Sequence, residues 1–70
     1  MLKKTKYFLS SSKPRTQLQM AVDDAEIKRD QFLKEDENKI SEIESENIQI
    51  LYSSNDLVVA IISLTFYQKK

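Results

Sequence analysis

One uninterrupted apolar stretch, residues 57–67, constrains the fold of this 70-residue chain more than any other feature. It reads LVVAIISLTFY, and β-branched and aromatic side chains dominate it. Such side chains fit a pleated, buried surface, so the composition favours a β-strand. The stretch has 11 residues, whereas a helix that spans a bilayer needs about 20 apolar residues. We therefore expect the innermost strand of a small sheet and no membrane insertion.

The residues before this stretch predict a β-hairpin. Ile48, Ile50 and Tyr52 alternate with Gln49, Leu51 and Ser53, and a Ser-Ser-Asn-Asp cluster then connects this segment to Leu57. The chain has no Gly, so the turn must be one that Asn55 or Asp56 can adopt. If the turn pairs Tyr52 with Leu57, six apolar residues share one face of the hairpin. They are Ile48, Ile50, Tyr52, Leu57, Val59 and Ile61.

The first half of the chain predicts one strand and one helix. If residues 3–9 are extended, Thr5, Tyr7 and Leu9 lie on one face and Lys4 and Lys6 on the other, as is typical of an exposed edge strand. Residues 10–14 are expected to form a loop, and a helix follows over about residues 15–36. Thr16 and Gln19 fit a capping box at its start. Apolar residues recur on one third of its circumference, namely Leu18, Ala21, Val22, Ala25, Phe32 and Leu33.

Residues 40–46 are compatible with two structures. Ile40 and Ile43 continue the helical stripe, so one alternative is a single long helix over residues 16–46 followed by a hairpin. About two turns of polar sequence would interrupt its seam, which is costly for a coiled coil. We favour a strand over about residues 40–53. In a regular strand Ile40 and Ile43 would point to opposite faces, and a bulge near the polar centre of the strand would bring them to the same face.

The expected fold class is thus α+β, with the order strand-helix-strand-strand. One helix packs on a three-stranded, mainly antiparallel sheet, and residues 1–70 form a single domain. The strands cover about residues 3–9, 40–53 and 57–67, and the helix covers about residues 15–36.

The last strand is expected to be buried on both faces, although one helix can cover only one of them. The face formed by Val58, Ala60, Ile62, Leu64 and Phe66 is apolar along its whole length and is the better candidate for the core. The opposite face, with the six hairpin residues named above, is our predicted contact with another copy of the chain. A 70-residue domain has a marginal core, and without Cys or His it lacks disulfides and ordinary zinc sites. Self-association is the remaining means of stabilisation.

The composition disfavours catalysis. With no His and no Cys, the commonest general base, the commonest metal ligand and one nucleophile are missing. With no Gly, phosphate-binding glycine loops are missing as well. We expect a protein that is not an enzyme and that binds no cofactor or metal. The lack of Cys fits the cytoplasm, and no secretory signal peptide is visible.

The charges are segregated although the net charge is zero. Residues 1–15 contain five basic residues and no acid, whereas residues 16–46 contain ten acids and four bases. The two regions can attract each other, within one chain or between subunits. Alternatively, the basic arm binds nucleic acid or another anion, through Lys3, Lys4, Lys6, Lys13 and Arg15.

The chain resembles a family of very small proteins of Gram-positive spore-formers, phages and mobile elements, some of which are described as sporulation proteins. The resemblance is carried by Lys6-Tyr7-Phe8, Phe32-Leu33-Lys34, the Ile40–Ile43 pair and a last strand that ends in Phe66-Tyr67. The chain departs from the family in its acidic residues 42–46 and its continuous run 57–64. The family has no defined activity, so it implies no functional residues.

The element order is also similar to that of dodecin, a flavin-binding shell protein. Dodecins sandwich the flavin with a Trp, which this chain lacks. This resemblance implies only that such a fold can assemble into larger oligomers.

Three functions follow as hypotheses. The first is a non-enzymatic, homo-oligomeric structural or protein-interaction module, encoded by a bacterium or a phage. The second is a small regulator that binds nucleic acid through the basic arm. The third is a protein that binds a small ligand in a cavity of the oligomer.

Overall fold

The computed structural model describes residues 1–69, except the side chain of Asp36. Within this part, the chain forms one α-helix and one three-stranded antiparallel sheet in the order strand-helix-strand-strand. This confirms the expected α+β fold. The elements are β1 (Leu2–Ser12), α1 (Leu18–Lys34), a 3₁₀ turn (Asp36–Asn38), β2 (Ile40–Ser53) and β3 (Leu57–Gln68).

The apolar stretch forms the central strand of the sheet, as predicted. The spatial order is β1-β3-β2, so β3 pairs with both neighbours and has no free edge. Alternate residues of β3 are buried against the helix, and they are the predicted set Val58, Ala60, Ile62, Leu64 and Phe66. Ile62 has no solvent-exposed surface. Each buried aliphatic side chain of this size contributes about 1.5–3 kcal/mol to folding.

The helix packs over β1 and β3. Ala21 and Ala25 are fully buried, and their small side chains allow the helix to approach the sheet closely. Near the helix end, Phe32 lies between Phe8 and Phe66, with ring centroids 5.5 and 5.4 Å away in tilted geometry. Such aromatic pairs add about 0.5–1.5 kcal/mol each beyond the burial of their area.

The helix leaves β2 largely uncovered because it is too narrow for three strands. An α-helix with its side chains is about 10 Å wide, and adjacent strands lie about 4.8 Å apart, so one helix covers about two strands. Among the residues of β2, only Ile40 and Ile50 pack against the buried core.

The boundaries of the first two elements differ from the sequence prediction. Strand β1 continues to Ser12, since residues 10–12 pair with β3 instead of forming a loop. Helix α1 begins at Leu18, after a turn in which the Gln17 N–H donates to Pro14. The expected capping box is therefore wrong: Gln17 is the N-cap, no side chain caps the helix, and Gln19 donates instead to Asp23.

Residues 40–46 belong to β2, so the alternative of one helix over residues 16–46 is wrong. The ladder with β3 shifts register twice, once between Ile40 and Glu42 and once between Ile43 and Ser45. The second shift lies at the predicted polar segment, and the first comes before it. Together they place Ile40 and Ile43 on the same side of the sheet, the side of the helix.

The hairpin register is the main correction. We expected Tyr52 to pair with Leu57, but Ser53 pairs with Leu57 and Tyr52 pairs with Val58. The loop therefore consists of residues 54–56, and Asp56 closes it with a left-handed φ of 60°. Asp tolerates this conformation better than most residues, in line with the expectation for a turn without Gly.

Candidate functional site

The side of the sheet away from α1, called here the open face, is not covered by any element of residues 1–69. Its half near the hairpin turn is apolar, and its other half is polar. The apolar side chains of this half come from all three strands and are Leu9, Leu51, Leu57, Val59 and Ile61. Ser11, Gln49 and Ser53 lie beside them on the flanking strands. Leu9 is 51% exposed and Leu51 is 45% exposed, whereas the three residues of β3 are half-buried between the flanking strands.

The polar half of the open face is held together by hydrogen bonds between the strands. The hydroxyl groups of Thr5 and Thr65 lie 3.1 Å apart. Across Tyr67, the Lys3 ammonium contacts the Glu44 carboxylate at 2.9 Å, and the Tyr67 hydroxyl donates to the same carboxylate at 3.2 Å. Because the basic arm and the acidic segment meet here, the expected attraction between the two charged regions exists within one chain.

This ion pair changes the acidity of both partners. The hydrogen bond from Lys3 lowers the pKa of Glu44, and the Tyr67 hydroxyl acts in the same direction. The hydrogen bond to Glu44 and the carboxylate charge raise the pKa of Lys3. Both groups are exposed, so the pair holds the polar half in place without a large contribution to stability.

The structure divides the predicted contact residues between the two sides of the sheet. Leu57, Val59 and Ile61 lie on the open face, as expected. Ile48, Ile50 and Tyr52 pair with Ile62, Ala60 and Val58 and therefore lie on the helix side. The expected single surface is wrong, because a one-residue change of register moves every side chain of a strand to the other face.

A second uncovered apolar surface results from this division. Ile43, Ile48 and Tyr52 lie on the helix side of β2, beyond the reach of α1, and each is about half exposed. The Arg15 guanidinium lies 5.6 Å from the centre of the Tyr52 ring. With Thr16 and Leu18, these two residues line an open depression of about 460 Å³.

The five candidate anion-binding residues are not brought together. Lys3, Lys4 and Lys6 lie at one end of β1, and Lys13 and Arg15 follow its other end. An extended strand rises about 3.3 Å per residue, so the two groups lie roughly 30 Å apart. Lys3 is paired with Glu44, and the Lys6 ammonium lies 5.7 Å from the ring centre of Phe32, on the opposite side of the sheet.

Sequence reasoning missed two members of the open face, Leu9 and Leu51. The alternation of β1 placed Leu9 on one face with Thr5 and Tyr7, which the structure confirms. The alternation did not show that this face of β1 lies on the same side of the sheet as the uncovered face of β3. Leu51 was missed because the assumed hairpin register put it on the other side.

The described part of the chain contains neither a metal-binding cluster nor a membrane-spanning helix. Among these residues, no three acidic side chains are grouped so that they could hold a metal ion. No helix there is long and apolar enough to cross a bilayer.

Comparison with protein-family models, with curated proteins and with solved structures found no match. The resemblance to small proteins of spore-formers and phages therefore stays a prediction.

Proposed function

We propose that this protein is a homo-oligomeric structural or protein-interaction module whose open face binds a second copy of the chain. The observation that carries the proposal is the apolar half of the open face. There, half-buried apolar side chains of the central strand lie between the exposed Leu9 and Leu51, although this strand forms the core with its other side. Contiguous apolar surface of this kind, bordered by polar residues, is typical of protein–protein contacts.

The chemistry of the surface supports packing rather than reaction. Aliphatic side chains have no acid, base or nucleophile to offer, and the chain contains no His or Cys. Two such sheets stack face to face about 10 Å apart, with interdigitated side chains. The module acts without catalysis, in the cytoplasm, and a bacterium, phage or mobile element encodes it.

The test compares lysine substitutions at neighbouring positions of β3. Val59→Lys and Ile61→Lys place a charge in the apolar half of the open face and are expected to dissociate the oligomer. Ser63→Lys, on the same face but in its polar half, is the matched control and should leave the oligomer intact. Light scattering coupled to size-exclusion chromatography at micromolar concentrations gives the mass of each variant, and circular dichroism shows whether it is folded.

Ile62→Lys checks that the two sides of β3 have different roles. Ile62 is fully buried against the helix, and an unpaired buried ammonium group cannot be accommodated there, so this variant should unfold. A folded wild-type monomer throughout the micromolar range would refute the proposal. An oligomer that survives both Val59→Lys and Ile61→Lys would show that the open face is not the contact.

A further inference from the structure

The two edges of the sheet differ in how they are protected against pairing with another strand. On β1, Lys3, Lys4 and Lys6 place charges on the first half of the strand, a common means of blocking edge-to-edge association. The Lys28 ammonium also donates to the backbone carbonyl of Leu9 at 2.7 Å. A side chain of the helix thus binds a backbone acceptor of β1.

Strand β2 has none of these features over most of its length. Both of its register shifts lie before Ser45, and residues 45–53 then pair regularly with β3. This segment of nine residues contains no Lys and no Pro, and within residues 1–69 no strand pairs with its outer side. A regular, unprotected edge is a template for an additional strand.

The sequence of this segment is complementary to itself. Two copies can pair antiparallel about a two-fold axis at Gln49. Each residue then lies opposite the partner residue for which the two residue numbers add up to 98. Ile48 then lies opposite Ile50 of the partner subunit, and both are on the helix side. Pairs of β-branched residues directly opposite each other stabilise a sheet.

The charges are complementary in the same arrangement. Glu46 is the only charged residue of the segment, and it lies opposite Tyr52 of the partner subunit. The Arg15 guanidinium lies 5.6 Å from the centre of the Tyr52 ring. Glu46 already contacts Arg29 of its own chain at 3.0 Å, but Arg29 also contacts Glu26 and Asp30, so the cluster is net acidic. Pairing brings a base of one copy toward this acidic cluster of the other, twice per dimer. The two Glu46 residues themselves are roughly 20 Å apart, six residues of extended chain.

We infer that β2 pairs with β2 of a second copy, antiparallel about Gln49, to form a continuous six-stranded sheet. Both helices lie on the same side of this sheet. The inference deepens the proposed function, on which it rests for self-association, and it names a second contact besides the open face. It also assigns a role to Ile48, Ile50 and Tyr52, which the open face does not include.

Disulfide crosslinking tests the register directly, because the natural chain has no Cys. In Gln49→Cys the two introduced thiols face each other at the axis. Opposed Cα atoms of an antiparallel pair are about 4.5–5.5 Å apart, within the roughly 4.4–6.8 Å that a disulfide spans. The control Leu51→Cys lies on the same open face as Gln49, but edge pairing places its two Cα atoms about 13 Å apart.

We expect Gln49→Cys to form a covalent dimer under mild oxidation at least roughly tenfold faster than Leu51→Cys, as measured on non-reducing gels. Equal rates in the two variants would overturn the inference. If the wild type is an oligomer that Ile61→Lys dissociates while Gln49→Cys does not crosslink, the inference fails and the proposed function stands. If Gln49→Cys crosslinks and Ile61→Lys has no effect on mass, the edge contact stands and the open-face contact fails.

A charge variant provides a second measurement. Gln49→Lys sets two lysines opposite each other at the axis, and like charges in this position are destabilising. We expect it to weaken edge pairing, seen as slower disulfide formation between an Ile48→Cys chain and an Ile50→Cys chain, which lie directly opposite each other in this register, than with Gln49 present. Gln31→Lys, on the exposed surface of α1, adds the same charge elsewhere and should leave the crosslinking rate unchanged; equal slowing by both variants would contradict edge pairing.

Discussion

Arg29 shows at the residue scale how a charge can occupy the core-facing stripe of a helix. Its side chain is only 16% exposed, and its two terminal nitrogens contact Glu46 and Asp30 at 3.0 Å each. Partial burial alone would lower the pKa of the guanidinium, but the hydrogen bonds to Asp30 and Glu46 raise it. Arg29 therefore ties α1 to β2 where the helix makes few other contacts.

The ion pair between Lys3 and Glu44 gives a prediction about acidity. Lys3→Met removes the hydrogen bond that lowers the pKa of Glu44, so this pKa should rise toward its ordinary value near 4.5. Carboxyl chemical shifts followed by NMR during an acid titration measure it. Lys4→Met is the control, since Lys4 points to the opposite side of the sheet; an equal rise in both variants would contradict the assignment.

The same pair determines a small dependence of stability on pH. A carboxyl whose pKa is lowered by folding stabilises the native state above its unfolded pKa, and this contribution is lost as the pH falls through the folded value. The contribution of Glu44 should therefore disappear below about pH 4.5. The raised pKa of Lys3 acts at the other extreme, where its contribution is lost as the pH rises through the folded value.

At the scale of elements, the three-residue turn between β2 and β3 depends on the left-handed conformation of Asp56, with φ at 60°. Asp56→Val places a β-branched residue there, and we expect a loss of about 1–2 kcal/mol relative to Asp56→Gly. Both variants lose the contact of the Asp56 carboxylate with the Arg15 N–H, so their comparison isolates the backbone effect. Thermal unfolding measures it, as a difference of roughly 4–8 °C per kcal/mol; equal melting temperatures would contradict it.

At the scale of the whole molecule, the shape of the chain explains its uncovered surfaces. Its radius of gyration is 13.7 Å and it measures 43 × 17 × 13 Å, whereas a compact chain of 70 residues has a radius of gyration near 11 Å. Long strands give the sheet a large area, and α1 covers only the part over β1 and β3. Contact with a second copy of the chain, on either side of the sheet, would reduce the apolar area that is exposed there.

This geometry predicts that stability depends on protein concentration. Mass action stabilises an oligomer as the concentration rises, by about 1.4 kcal/mol of dimer for each tenfold increase. We expect the melting temperature of the wild type to increase by a few degrees per tenfold concentration. A variant carrying both Ile61→Lys and Gln49→Lys should melt at a temperature independent of concentration, and a wild type that behaves in the same way would contradict self-association.

The sequence by itself determined the central position of residues 57–67 and the type and order of the elements, except over residues 40–46, where strand and helix both remained open. It also determined which face of β3 forms the core, because the alternation of Val58 through Phe66 is apolar along its whole length. These features follow from local composition and periodicity, which do not depend on distant contacts.

Only the tertiary structure decided the register of the hairpin and the coverage of the sheet. The loop is one residue shorter than expected because Asp56 closes it in a left-handed conformation. The register therefore differs by one residue, and Ile48, Ile50 and Tyr52 lie on the helix side. Side chains of a strand alternate with a period of two, so a slip of one residue leaves the hydrophobic pattern intact but reverses every face. The uncovered state of β2 likewise depends on where a helix about 10 Å wide lies on a three-stranded sheet, which local sequence does not specify.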